Sequence, residues 1–267
     1  MRYNVIGTMS GTSLDGLDIA YCSFELINNQ WTFEINETTT NSFPKDLKEN
    51  LQNAMYMDGL DLMQTSNQLG NFIGQSVNSF IENKKINFSL INGVASHGHT
   101  VFHQPGSKLT TQIGNGAVIS ALTKLPVVCD FRAIDMALGG QGAPLVPIGD
   151  KLLFSEYDFC INLGGIANIS YDENGKTKDN DRIAFDICPV NIVLNKLVQE
   201  KGLDYDNNGD LARKGTTNKK LLEQLNLLPY YKQPSPKSLG MEWVAKNIFP
   251  LLDASPIAIE DKLHTFV

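Results

Sequence analysis

Small, hydroxyl-bearing and acidic residues crowd one stretch near the start of the chain: Gly7-Thr8-Met9-Ser10-Gly11-Thr12-Ser13-Leu14-Asp15-Gly16-Leu17-Asp18. Glycines let backbone N–H groups converge on an anion with no Cβ in the way. The hydroxyls of Thr12 and Ser13 add donors, and Asp15 and Asp18 could hold a magnesium ion directly or through water. No lysine occupies the place it has in G-x-x-x-x-G-K-[ST], so this is not a Walker A loop. A polar hairpin with no ligand is the plain alternative; the density of such residues favours phosphate binding.

Four other groups carry chemistry. Asn162-Leu163-Gly164-Gly165-Ile166-Ala167-Asn168 is a second glycine turn, weak alone but matching the first in its place within the second half of the chain. Asp186 follows Phe185 at a strand end, where a carboxylate facing a cleft can take the proton of an attacking hydroxyl or water. Capping the next helix near Asn191 is the rival role for it. His97, His99 and His103 suggest a metal, but no acid or cysteine stands beside them and a glycine interrupts the run. Hydrogen bonding to a polar substrate is the better reading. Asp130-Phe131-Arg132-Ala133-Ile134-Asp135 sets two carboxylates around a guanidinium. That set suits the hydroxyls of a sugar, and Arg132 suits an acidic substituent; an internal salt bridge is the alternative.

The chain that must position these groups has 267 residues, 42% hydrophobic and 19% charged, with a formal net charge of -7. No basic cluster offers to offset a nucleic-acid backbone. Cys22, Cys129, Cys160 and Cys188 are widely spaced, which fits buried reduced thiols better than a zinc site or disulfide scaffold. The N-terminus enters a strand-like run with no signal-type apolar region, and no long apolar span follows, so a cytosolic protein that does not enter the membrane is expected.

Apolar periodicity predicts strands at residues 3–9, 17–24 and 31–38, with a glycine hairpin tip at 10–16. Helices are expected at 45–55, opened by Pro44, and at 60–81, with Leu62, Leu69, Ile73, Val77 and Phe80 on one face. A strand at 88–95, a helix at 116–124, a strand at 126–129 and a glycine- and proline-rich loop at 130–147 follow. The second half restarts with strands at 158–163, 166–171 and 182–187, then helices at 191–201, 218–225 and 241–252. Strand, glycine turn, strand, strand and then helices occur twice, which suggests a duplicated α/β unit with both turns at one cleft. The expected division falls after residue 130, giving domains 1–130 and 131–267.

Seven blocks resemble, in order, the anhydro-N-acetylmuramic acid kinase family. They are the first glycine stretch; Ser96-His97-Gly98; Gln112-Ile113-Gly114-Asn115; Asp130-Phe131-Arg132; Gly139-Gly140-Gln141-Gly142-Ala143-Pro144-Leu145-Val146-Pro147; Leu163-Gly164-Gly165-Ile166-Ala167-Asn168; and Pro236-Lys237-Ser238-Leu239-Gly240. The resemblance implies a duplicated ribonuclease-H-like fold of the actin, sugar kinase and Hsp70 type. It implies conversion of 1,6-anhydro-N-acetylmuramic acid, ATP and water to N-acetylmuramic acid 6-phosphate and ADP in peptidoglycan recycling, with magnesium. Gly11, Thr12, Ser13, Leu14, Asp15, Gly16, Leu17 and Asp18, with Gly164 and Gly165, match the nucleotide-binding turns. Asp186 matches the general base, and Ser96, His97, Asn115, Asp130 and Arg132 match substrate-binding positions. A homodimer is also implied.

Three departures stand out. Cys188 and Val190 replace family glycines beside Asp186, where any backbone needing positive φ would be strained. His99 stands where glutamine is usual. Residues 259–267 look like the opening of a family helix, and the adenine-binding segment beyond it is not in the sequence. From this the second domain is expected to be incomplete, with weak ATP affinity and little turnover for the chain by itself. A non-catalytic sugar-binding remnant is the alternative.

Overall fold

The computed structural model describes residues 1–11, 14–172 and 182–267. The chain forms a mixed α/β protein of two compact units, Met1–Leu145 with Lys151–Leu153, and Val146–Asp150 with Phe154–Val267. The first unit thus reaches past the division expected after residue 130.

In the first unit, β1 (Arg2–Ser10), β2 (Leu17–Ile27) and β3 (Gln30–Asn41) form an antiparallel meander. Next come α1 (Lys45–Asn53), α2 (Gly59–Asn83), β4 (Gly93–Ser96), β5 (His99–Gln104), β6 (Leu109–Ile113), α3 (Gly116–Thr123), β7 (Val127–Cys129) and α4 (Ala133–Ala137). The main sheet has the order β3-β2-β1-β4-β7, with β4 parallel to both β1 and β7. β5 and β6 make a separate hairpin.

The residues explain the layers. α2 starts where the Asp58 carboxylate accepts the N–H of Asp61 at 2.9 Å, an N-cap. Its buried stripe of Leu69, Ile73, Val77 and Phe80 falls at helical spacing and shares one core with Ile6, Leu17, Ile19 and Val94 of the sheet. Each such buried side chain contributes about 1.5–3 kcal/mol.

The second unit holds α5 residues Pro147 to Asp150 of a helix spanning Pro147–Leu153, then β8 (Phe159–Leu163), β9 (Ile166–Asp172) and β10 (Arg182–Pro189). These strands again form an antiparallel meander, in the order β10-β9-β8. Buried Asp150 accepts the Ser170 hydroxyl, whose oxygen accepts Arg182 Nε at 3.0 Å, which ties α5 to β9 and β10. α6 (Asn191–Gln199), α7 (Lys219–Asn226), α8 (Met241–Asn247), α9 (Phe249–Asp253) and α10 (Ile259–Phe266) follow. Val193, Leu197, Leu221, Val244, Ile248, Leu252 and Leu263 form their common core.

Several expectations need correction. Residues 88–95 are not one strand: Asn87 accepts the Ser89 N–H and starts a 3₁₀ turn at Phe88–Leu90, so pairing begins only at Gly93. The 130–147 loop contains α4 and the first residue of α5. The helix expected at 241–252 divides into α8 and α9 next to Pro250, which has no N–H to continue the ladder. Among the described residues no helix is long and apolar enough to cross a membrane.

Candidate functional site

The end of β4 builds the first site. Ser96 is 1% exposed, and the next backbone N–H, of His97, donates to the Thr8 carbonyl of β1 at 3.0 Å. Gly98 then turns the chain at φ +69, and a Cβ there would strike the Ile113 carbonyl oxygen. Only glycine lets β5 pass this close to β6. Ser96, His97, Gln112, Asn115 and Asp130 line one cavity of about 250 Å³.

Inside it, Ser96 Oγ and Gln112 Oε1 are buried without a hydrogen-bond partner. Buried polar atoms are nearly always paired, and leaving one unpaired costs about 1–3 kcal/mol. An unpaired pair of oxygens facing a polar cavity fits a ligand rich in hydroxyl or amide groups. Asn115 is a wall of the site: its Oδ1 caps α3 at Ala117 and Val118, and its Nδ2 donates to Asn67 at 2.7 Å.

Arg132 stands behind His97. It donates to His97 Nε2 from Nε at 3.1 Å and from Nη2 at 2.9 Å, and from Nη1 to the Gly142 carbonyl at 2.7 Å. Asp135 accepts the Gly142 N–H at 2.7 Å. The guanidinium is thus held by a ring nitrogen and a carbonyl. Burial, and then the Arg132 charge, bring His97 down to about 4. Burial, and then His97, bring His99 down to about 4 as well. Each histidine has a protein contact: His97 with Gly98, His99 with Ser10 at 3.3 Å, and His103 with Thr110 at 3.4 Å.

The first glycine stretch does join β1 to β2 as a hairpin tip. Thr12 and Ser13 lie outside the described residues. Leu14 and Leu17 put their side chains into the core, so toward any ligand only their backbone is available. Leu14 has φ 53 and donates its N–H to Gly11 at 3.2 Å. A side chain on Gly16 would crowd Thr40 and Asn41 of β3. Asp18 lines a cavity of about 580 Å³ with Thr8, Thr40 and Phe131, and accepts the Thr40 hydroxyl at 2.6 Å. Thr8 Oγ1 is buried there without a partner. A carboxylate beside an unpaired hydroxyl fits a hydrated magnesium ion with phosphates, since that ion keeps several waters and few protein ligands. Asp15 is exposed and lies outside this cavity's wall.

Asp186 is 4% exposed on β10, beside a bulge at the step to Cys188. Bulges re-aim side chains and are common next to active sites. Its carboxylate Oδ2 accepts the Leu239 N–H at 2.8 Å, its N–H donates to the Lys237 carbonyl at 3.0 Å, and its own carbonyl accepts the Tyr230 hydroxyl at 2.7 Å. α6 has no side-chain cap at its start. Gly164 and Gly165 fill that role with their carbonyls, which accept from Val190, Asn191 and Ile192 at 2.9 to 3.3 Å. Neither Cys188 nor Val190 takes a positive φ; Val190 instead has φ -132 and ψ -100, outside the usual helical and extended regions.

The structure therefore brings Ser96, His97, Asn115 and Asp130 to one cavity, with Arg132 held on His97. Asp18 lines a second cavity of the same unit. Asp186, Gly164 and Gly165 belong to the other unit. Thr8 and Gln112 were missed as polar atoms of these walls. Both stood in motif blocks, but Thr8 also fell within a run read as an apolar strand.

The sequence model for "Anhydro-N-acetylmuramic acid kinase" matches residues 3–257. Proteins of that name are similar to this chain: 39% identical over 89% of it in Photobacterium profundum, 37% over 91% in Coxiella burnetii and 36% over 89% in Bacillus cereus. The chain spans 64%, 67% and 65% of those relatives' lengths, about two thirds. Among solved structures, YeaZ from Pseudomonas aeruginosa aligns at a TM-score of 0.23 and 9% identity, over 70% of this chain and 68% of that one. That likeness is too slight to carry an argument. The motif order and the match across nearly all residues agree: this chain belongs to the anhydro-N-acetylmuramic acid kinase family.

Proposed function

We propose that the chain supplies the sugar- and phosphate-binding residues and the general base of a kinase. That kinase turns 1,6-anhydro-N-acetylmuramic acid, water and ATP into N-acetylmuramic acid 6-phosphate and ADP, in peptidoglycan recycling. The observation that carries the reading is the polar cavity in which Ser96 Oγ and Gln112 Oε1 are buried without protein partners beside the His97–Arg132 pair. A sugar's hydroxyl and acetamido N–H groups would complete both oxygens.

In this reading the ionised Asp186 carboxylate takes a proton from water. The water oxygen bonds to C1 of the sugar, the C1–O6 bond breaks, and O6 takes the γ-phosphoryl group as ADP leaves. The Leu239 N–H holds the base by one oxygen, Oδ2. Asp18 would hold magnesium, which when bound neutralises phosphate charge. Asp15, and the backbone of the tip at Gly11, Thr12, Ser13, Leu14, Gly16 and Leu17, belong to the same phosphate-binding proposal, as do Gly164 and Gly165. The repeated antiparallel meander supports a duplicated actin-like fold, and a cytosolic homodimer is proposed on family membership alone.

The test is ADP release with the anhydro-sugar, in the parent and in Asp186→Asn. A loss of about a thousandfold is expected. Normal turnover by Asp186→Asn overturns the base, and calorimetric sugar binding with no ADP release in the parent marks a non-catalytic sugar-binding protein.

A further inference from the structure

Behind Asp186 the contacts close into a ring. The Asp186 N–H donates to the Lys237 carbonyl, and the Tyr230 hydroxyl donates to the Asp186 carbonyl. Lys237 Nζ in turn donates to the Tyr230 carbonyl at 3.2 Å. The same ammonium sits 4.7 Å from the centre of the Tyr230 ring and 5.6 Å from that of Phe185. An aromatic face attracts a cation through its ring quadrupole, and Tyr230 is 3% exposed, packed at 5.3 Å against Trp243. Two residues past Lys237, Leu239 reaches the carboxylate itself.

Lys237 and Leu239 thus grip the backbone and the side chain of Asp186 from one short segment. A bulge re-aims the side chains beside it, and a carboxylate held to one direction needs supporting contacts of its own. Burial, followed by the nearby Asp186 charge, pushes the Tyr230 phenol up, so it stays a donor at any working pH.

We infer that Tyr230 and Lys237 are positioning residues for the Asp186 carboxylate, holding the strand so that the Leu239 N–H meets Oδ2. The inference rests on the general-base reading above, and its structural part can be tested apart from it.

The experiment compares Tyr230→Phe, Lys237→Met and Lys237→Arg in the natural gene product. Amide exchange at Leu239 is read residue by residue, with Val244 and Leu252 as internal controls of folding, and kcat and KM are followed across pH. Leu239 exchange is expected to speed about tenfold in Tyr230→Phe and Lys237→Met. The kcat value is expected to fall about tenfold with KM for both substrates unchanged, and the acidic limb of its pH profile to move. Lys237→Arg, which keeps a cation over the rings, is expected to recover most of the loss. Unchanged Leu239 exchange in both variants, with the controls protected, overturns the grip whatever the turnover. Faster exchange with unchanged kcat and pH profile overturns the positioning role. If Lys237→Met loses protection at Val244 as well, Lys237→Arg and Tyr230→Phe decide by the same criteria. Failure of the base reading shows separately, as normal turnover by Asp186→Asn.

Discussion

Arg132 directs two N–H groups, from Nε and Nη2, at the single Nε2 atom of His97. A guanidinium has no acceptor, so Nε2 carries no proton and the ring's hydrogen sits on Nδ1, donated to the Gly98 carbonyl at 3.0 Å. With His97 and His99 both near 4, the two rings are neutral at pH 7. Unfolded histidine binds its proton near 6.5, so between that value and about 4 the unfolded chain holds more protons. Stability must then rise with pH across the window and be lost as the pH falls through it, by on the order of 3 kcal/mol for His97 alone. Urea midpoints should hold nearly level from pH 7.5 to about 6.5 and then decline down to 4.5, less so in His97→Gln. A midpoint that climbs on acidification refutes the assignment.

Replacing Arg132 with Met removes the charge that lowers His97 and leaves a buried nitrogen and the Gly142 carbonyl short of donors. The His97 value should move up toward 6.5 in an NMR titration, and stability at pH 7 should drop by about 1–3 kcal/mol. Arg132→Lys should not restore it, because an ammonium cannot present the flat fork. An unmoved His97 titration counts against the pairing.

Ser96→Ala deletes a hydroxyl that has no protein partner. Without ligand, the melting temperature should stay level or rise slightly. Calorimetric affinity for the anhydro-sugar should weaken roughly tenfold, the worth of one hydrogen bond to a buried group. A large loss of apo stability with intact sugar affinity would reverse the reading.

At Gly98, alanine would have to hold φ +69 with its methyl against the Ile113 carbonyl. Gly98→Ala should cost roughly 2 kcal/mol or more in urea denaturation and weaken sugar binding by displacing His97. A near-neutral variant would show that the turn can rearrange.

Much of this was legible in the sequence because burial follows short-range periodicity. The stripe from Leu69 to Phe80 and the alternation around Ile6 and Ile19 locate the first core directly. The β5–β6 hairpin was not legible, since its polar residues are half-buried and show no alternation. The break at Pro250 was written in the sequence but masked by apolar residues on both sides. Lys237 and Leu239 stood in a motif block, but nothing in the sequence tied that block to Asp186: Leu239 lies 53 positions away and is joined through its backbone, which no side-chain pattern encodes. Asn115, matched to substrate binding by its motif, lines the cavity and also caps α3, a second role that its residue type announces.

The glycine turn that feeds its carbonyls to the first amides of α6 welds hairpin and helix into one lever. Sliding either by a single residue would break three bonds at once. A displacement of Gly164 and Gly165 should therefore carry the start of α6 with it, and with that helix the packing of Leu197 and Val198.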